Sequence, residues 1–138
     1  MTSNQNTEKN KATYQRFIQE VFNKGRLELL PEILSPTYVL HDAPAGMAQG
    51  PDAIKQTVTM FRAAFPDLEI TLEELVAEGN KVCARSMMRG THKGTLFGKP
   101  ASGKKVEVPG LTMVTVIEGR VIESWVRNDV ATLMKQIE

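Results

Sequence analysis

The sequence predicts an α+β fold, with helices first and an antiparallel sheet after them. Three observations carry this. Apolar side chains recur at helical spacing in the first half, at Tyr14, Phe17, Ile18, Val21 and Phe22, and again at Ile54, Val58, Phe61 and Phe65. The second half changes to extended segments divided by Gly79-Asn80 and Glu118-Gly119, two-residue turns of the kind that close hairpins. The charges sort to match: residues 67–78 hold five acids and no base, and residues 79–106 hold seven bases and no acid. Opposite charges facing each other across a ladder each contribute a few tenths to about 1 kcal/mol.

The elements follow in order. Residues 1–6 have no apolar side chain after Met1 and read as a disordered tail before a single domain over 7–138. A helix is expected over 8–24, capped by Thr7 and stopped by Gly25. A shorter one covers 27–34, closed by Ser35-Pro36. Residues 37–42 read as a strand and 43–50, with a proline and two glycines, as a loop. Pro51 suits the first position of a helix that Pro66 ends. With a two-residue turn at 79–80, Glu78 faces Lys81 and Glu74 faces Arg85. A glycine-rich connection over 94–104 leads to strands over 105–117 and 120–128, and 130–137 closes the chain as a strand end or helical turn.

The composition excludes several classes. The 138 residues carry 17 bases and 16 acids, a net charge of +1, without the basic excess expected of a nucleic-acid or membrane-surface binder. One cysteine, Cys83, rules out an internal disulfide. One cysteine and two histidines are too few for a usual structural zinc site. No apolar run approaches the ~18 residues of a membrane span. The polar first ten residues show no secretory signal, so a cytoplasmic protein is expected.

The motifs narrow the chemistry. Gly98 to Lys104 has the glycine and lysine spacing of a phosphate-binding loop, but Lys105 stands where a hydroxyl should hold the metal, and the segment joins two strands. Asp129 follows an apolar strand, and alternation puts it on one face with Trp125, Arg127 and Glu123. Beside a bulky indole its carboxylate is expected to be poorly solvated, with a pKa raised toward the range of proton transfer. The competing reading is an exposed strand-end acid or a cap for the last turn. His92, where strand gives way to loop, is either a donor to a carbonyl or a hydrogen-bonded structural histidine. His41 ends the first strand, at a pocket mouth or in a structural role. Arg89 shares a face with Arg85, Cys83 and Met87. Met87, Met88 and Met113, with the phenylalanines including Phe61, either fill the core or line an apolar cavity. No nucleophile elbow or His-Glu-x-x-His motif is present. Cofactor-free acid/base chemistry or plain ligand binding remains.

Several segments, in this order, resemble one family. They are Phe61-Arg-Ala-Ala-Phe65-Pro-Asp67, Val76-Ala-Glu-Gly79-Asn-Lys81-Val, Gly90-Thr-His92-Lys-Gly94-Thr-Leu-Phe-Gly98, and Glu118-Gly-Arg-Val-Ile-Glu-Ser-Trp125 with Asp129. Together they are similar to the SnoaL-like polyketide cyclases of the nuclear-transport-factor-like superfamily, over about residues 11–137. The resemblance implies a cone-shaped curved antiparallel sheet wrapped around the N-terminal helices, an apolar pocket at its open end, and a homodimer through the outer sheet face. It also implies cofactor-free cyclase or isomerase chemistry on a small apolar or polyketide-like carbonyl compound. Asp129 matches the family's general acid/base position and His92 a position that polarises a carbonyl. Trp125, His41, Arg89, Phe61, Met113 and Tyr14 are then expected to contact substrate. The sequence departs from the family pattern at its end, Gln136-Ile137-Glu138, at Ala101, and in the polar Arg127 and Asn128 beside Asp129. Two other functions stay open: a non-catalytic small-molecule-binding or stress-associated protein, and an epoxide-hydrolase-like hydrolase.

Overall fold

The computed structural model describes residues 3–138. Helix α1 spans Ser3–Arg16 and continues as a wider π-helical turn over Phe17–Phe22. The expected tail over 1–6 therefore overlaps the first turn of α1, and Met1 and Thr2 lie outside the described residues. The apolar stripe read from the sequence is the buried face: Tyr14, Phe17, Ile18 and Val21 are each at most 5% exposed. A 3-10 turn at Leu27–Leu29 runs into the short α2, Leu30–Ile33. Strand β1 covers Leu34–Leu40, three residues earlier than expected. Helix α3 covers Pro51–Ala64, with its proline in the first turn.

Strands β2 (Glu69–Glu78), β3 (Lys81–Thr91), β4 (Lys105–Ile117) and β5 (Arg120–Asn128) form an antiparallel meander, and α4, Val130–Gln136, follows. The hairpin register is as expected: Glu78 pairs with Lys81 and Glu74 with Arg85. Arg85 reaches both Glu74, at 3.3 Å, and Glu73, at 3.0 Å.

The sheet order is β1-β5-β4-β3-β2, and β1 pairs with β5 in parallel. The all-antiparallel expectation is corrected at this one edge. The chain passes through α3 and three strands before β5 comes to lie beside β1. Local pattern carries no record of a pairing across that distance. Bulges between Leu72 and Glu74 and between Thr115 and Val116 bend the sheet. It curves over the helices without closing. One cluster lies between the helices and the sheet, with Tyr14, Phe17, Tyr38, Val58, Val114 and Val121 at its centre. A second, around Phe65, Leu96, Val106 and Leu133, sits under the 92–104 loop and α4.

Candidate functional site

The concave face of the sheet opens into an apolar hollow with two adjoining parts. One, of about 90 Å³, is lined by Tyr14, Phe17, Tyr38, Thr112, Ser124 and Val126 among others. The other, of about 70 Å³, is lined by Phe61, Met88, Val108, Val130 and Leu133. Ile70, Ser86 and Asn128 border both. Strand alternation builds this lining. Ser86 on β3, Thr112 on β4 and Ser124, Val126 and Asn128 on β5 all point to the helices. Gly110 leaves the room Asn128 occupies: a Cβ there would lie 2.2 Å from Asn128 Oδ1 and 3.3 Å from Ser86 Oγ.

Among the described residues, no charged side chain lines either part. The polar groups are neutral. Burial pushes the Tyr14 phenol up to about 12, with the Thr112 hydroxyl offsetting part of the rise. Burial pushes Tyr38 up to about 12 as well, partly offset by neighbouring Ser124. Both phenols stay protonated at neutral pH, so each keeps a hydroxyl proton that it can donate. The Tyr38 and Ser124 oxygens are buried and make no hydrogen bond of good geometry, so their contact with each other is a loose one.

The expectation of a dry, weakly acidic Asp129 is overturned. Its carboxylate caps α4, accepting from the Thr132 amide at 3.0 Å and the Thr132 hydroxyl at 2.7 Å. The hydroxyl and the amide together hold its pKa below the usual value. The residue is exposed, while its neighbours Asn128 and Val130 face the hollow. Alternation along β5 sets Asp129 with Trp125 and Arg127, on the side away from the helices, and past the strand's end at Asn128 the residue turns to cap α4.

His92 does not reach the hollow either. It is fully buried, tilted against the Phe65 ring at 5.6 Å. Its Nδ1 accepts from the Ser102 amide at 3.2 Å and pairs with the Ser102 hydroxyl at 2.9 Å. Its backbone bonds to Lys104 and Gly103. The histidine pins the glycine-rich loop to the sheet, and the loop closes the second core.

Four of the expected substrate contacts lie on the convex face. Trp125 alternates with Ser124 and Val126, so it points away from the helices. His41 stacks on its ring at 4.5 Å and 10°, and Lys81 lies 4.7 Å from the ring centre. His41 also donates to Glu123 at 2.9 Å, and Thr115 donates to Glu123 at 2.8 Å. His41 and then Thr115 hold the Glu123 carboxyl below its usual pKa. Met113 pairs with Trp125, and Arg89 pairs with Glu107 at 3.3 Å. The parity was right, but the face was reversed: alternation alone does not say which side of a sheet is concave. Cys83, read as core, is half-buried on this outer face opposite Met113.

Tyr14 and Phe61 line the hollow as expected. Tyr38, Ser86, Thr112, Ser124 and Asn128 were missed. The signal was there in part. Ser86, Thr112 and Ser124 share strand parity with Ala84, Val114 and Val126, so small polar residues interrupt an apolar row.

Comparison with known proteins agrees with this architecture. Residues 12–137 match the profile of the SnoaL-like polyketide cyclases. The chain is 32% identical over 104 residues to nogalonic acid methyl ester cyclase of Streptomyces nogalater, covering 72% of this chain and 76% of that one. It is 29% identical over 113 residues to aklanonic acid methyl ester cyclase DauD of Streptomyces sp. (strain C5), covering 77% and 68%. Among solved structures, TsrD of Streptomyces laurentii superposes with a TM-score of 0.85 at 25% identity over 94% of this chain and 95% of that one. Wild-type IdmH of Streptomyces antibioticus gives 0.81 at 32% identity over 93% and 97%.

Proposed function

Because the chain belongs to the SnoaL-like polyketide cyclase family, we propose that it closes a ring by intramolecular aldol chemistry in a neutral, polyketide-derived ester, without a cofactor. One observation carries the reading: an apolar hollow inside the cone, bordered by neutral hydrogen-bond donors and by no charge. A carboxylate brought into such a place loses its hydration and meets no cation, which costs several kcal/mol. An ester loses far less, so the hollow favours the esterified compound over the free acid.

The chemistry is acid/base. A carbon alpha to one carbonyl loses its proton and becomes an enolate. The enolate carbon attacks a second carbonyl, and the alkoxide that forms takes a proton back, so the product has the mass of the substrate. Tyr14, a phenol kept protonated by burial, and the Asn128 amide at the rim donate to the enolate and alkoxide oxygens. Oxyanion donors of this kind are worth roughly 3–4 kcal/mol where they are preorganised. The apolar walls fold the substrate so that the reacting carbons meet. The proton leaves to water at the open mouth, because among the described residues no carboxylate or imidazole lines the hollow. That same lack of a base favours a second reading, binding without turnover.

The test is incubation with the methyl ester of aklanonic acid, followed by chromatography with absorbance detection, which separates the cyclised isomer from its precursor. Closure faster with the protein than without it supports the cyclase. Saturable binding with no acceleration supports the second reading.

A further inference from the structure

Phe97 stands out on three counts. It is 52% exposed, whereas the other four phenylalanines are buried or half-buried. Its φ is +48°, a left-handed conformation that a bulky side chain rarely adopts. It occupies the first central position of a tight turn in which Leu96 and Lys99 exchange hydrogen bonds of 2.9 and 2.8 Å, followed by Gly98 at φ +78°. Turns of this mirror-image type favour asparagine or glycine at both central positions. Backbone preference and solvation thus both argue against a phenylalanine at this position.

What the ring touches gives it a use. Phe97 meets Phe61 edge to face, with ring centres 6.2 Å apart. Phe61 is a wall of the hollow, beside Val130, another exposed apolar side chain at 50%. The two parts of the hollow, about 90 and 70 Å³, are small against the few hundred Å³ that a multi-ring ligand fills. A ligand of that size leaves part of itself outside the hollow, beside Phe61 and Phe97, whose rings suit a planar aromatic group.

We propose that Phe97 is a specificity-determining residue, whose ring holds the planar aromatic portion of the substrate that the hollow does not contain. The inference rests on the cyclase reading for the identity of that substrate, but its test reads binding alone, so the two fail separately. The probes are methyl anthraquinone-2-carboxylate, a planar three-ring ester, and methyl benzoate, its one-ring counterpart. Titration calorimetry measures both against the wild type, Phe97→Gly and Phe97→Trp, with thermal unfolding alongside. Glycine suits the turn, so Phe97→Gly is expected to unfold no earlier than the wild type. It should bind the three-ring ester at least tenfold more weakly and methyl benzoate unchanged, and Phe97→Trp should keep both affinities. Equal affinity of Phe97→Gly and wild type for the three-ring ester overturns the proposal. So does an equal loss for both esters, which would make Phe97 a structural support of Phe61. Failure of the wild type itself to discriminate between the esters overturns it as well.

Discussion

The Asp129 carboxylate accepts two hydrogen bonds from Thr132, one from its amide and one from its hydroxyl, and thereby starts the last helix. The acid that the family pattern marks for proton transfer is here an ionised helix cap. Its pKa lies below the unfolded value. It therefore adds stability that is present above the unfolded pKa and is lost as pH falls through the folded one.

For Asp129→Ala, thermal unfolding is expected to come earlier at neutral pH, and the gap from wild type to narrow as the solution is acidified. Turnover should fall by less than about tenfold. A hundredfold loss of turnover at unchanged melting temperature would instead show the carboxylate leaving Thr132 to act on substrate.

Tyr14→Phe removes a buried donor and keeps the ring. The neighbouring Thr112 hydroxyl offsets part of the phenol's rise, and the loss of one hydrogen bond costs about 1 kcal/mol, so the variant should fold. Cyclisation should slow by at least about tenfold with KM little changed, because the lost interaction strengthens only as charge develops on the substrate oxygen. Steady-state kinetics check this, and an unchanged kcat would remove Tyr14 from the chemistry.

Gly110→Ala places a methyl group where Asn128 Oδ1 now sits. Asn128 is exposed and able to swing outward. The expected result is a melting temperature close to wild type with weakened binding of ester ligands. A large drop in stability with binding intact would mean that β4, not Asn128, gives way.

His92→Ala opens a cavity in the second core and frees the loop that Ser102 and His92 tie down. A loss of about 2–4 kcal/mol is expected from denaturant unfolding, in the range of large-to-small core substitutions. Ser102→Ala, which removes the hydroxyl's bonds to His92 and to the Lys104 amide but opens no large cavity, should cost less, about 1–2 kcal/mol.

We propose further that the convex face pairs two copies of the chain. Val76 and Leu111 are 56% and 60% exposed there. Trp125, Met113 and Cys83 lie on the same side of the sheet. Light scattering should give twice the chain mass for the wild type and a single chain for Leu111→Arg. A wild-type monomer at micromolar concentration would refute the pairing.

How far the sequence could be read depended on the range of the interaction. Helical stripes, the proline at the start of α3, the two hairpin turns and the Glu74–Arg85 register are set by neighbours in the chain or across a two-residue turn. They were legible for that reason. The parallel seat of β1 beside β5 was not, because it joins segments some eighty residues apart. The site suffered most. Alternation grouped Trp125 with Glu123 and Arg127 correctly, yet the curvature that makes one face concave is a property of the whole sheet and of the helices laid on it.

By itself, then, the amino-acid order determined the class of fold, the element sequence, the hairpin pairing and the family, since each rests on local periodicity or on ordered short motifs. Only the tertiary structure decided which residues meet in the hollow. It turned Trp125, His41, Met113 and Arg89 outward, committed Asp129 to Thr132 and His92 to Ser102, and brought Tyr14, Tyr38, Ser124 and Asn128 together from three separate stretches of chain. Side chains so distant in sequence become neighbours through the bending of the sheet over its helices, and no short-range pattern encodes that bend.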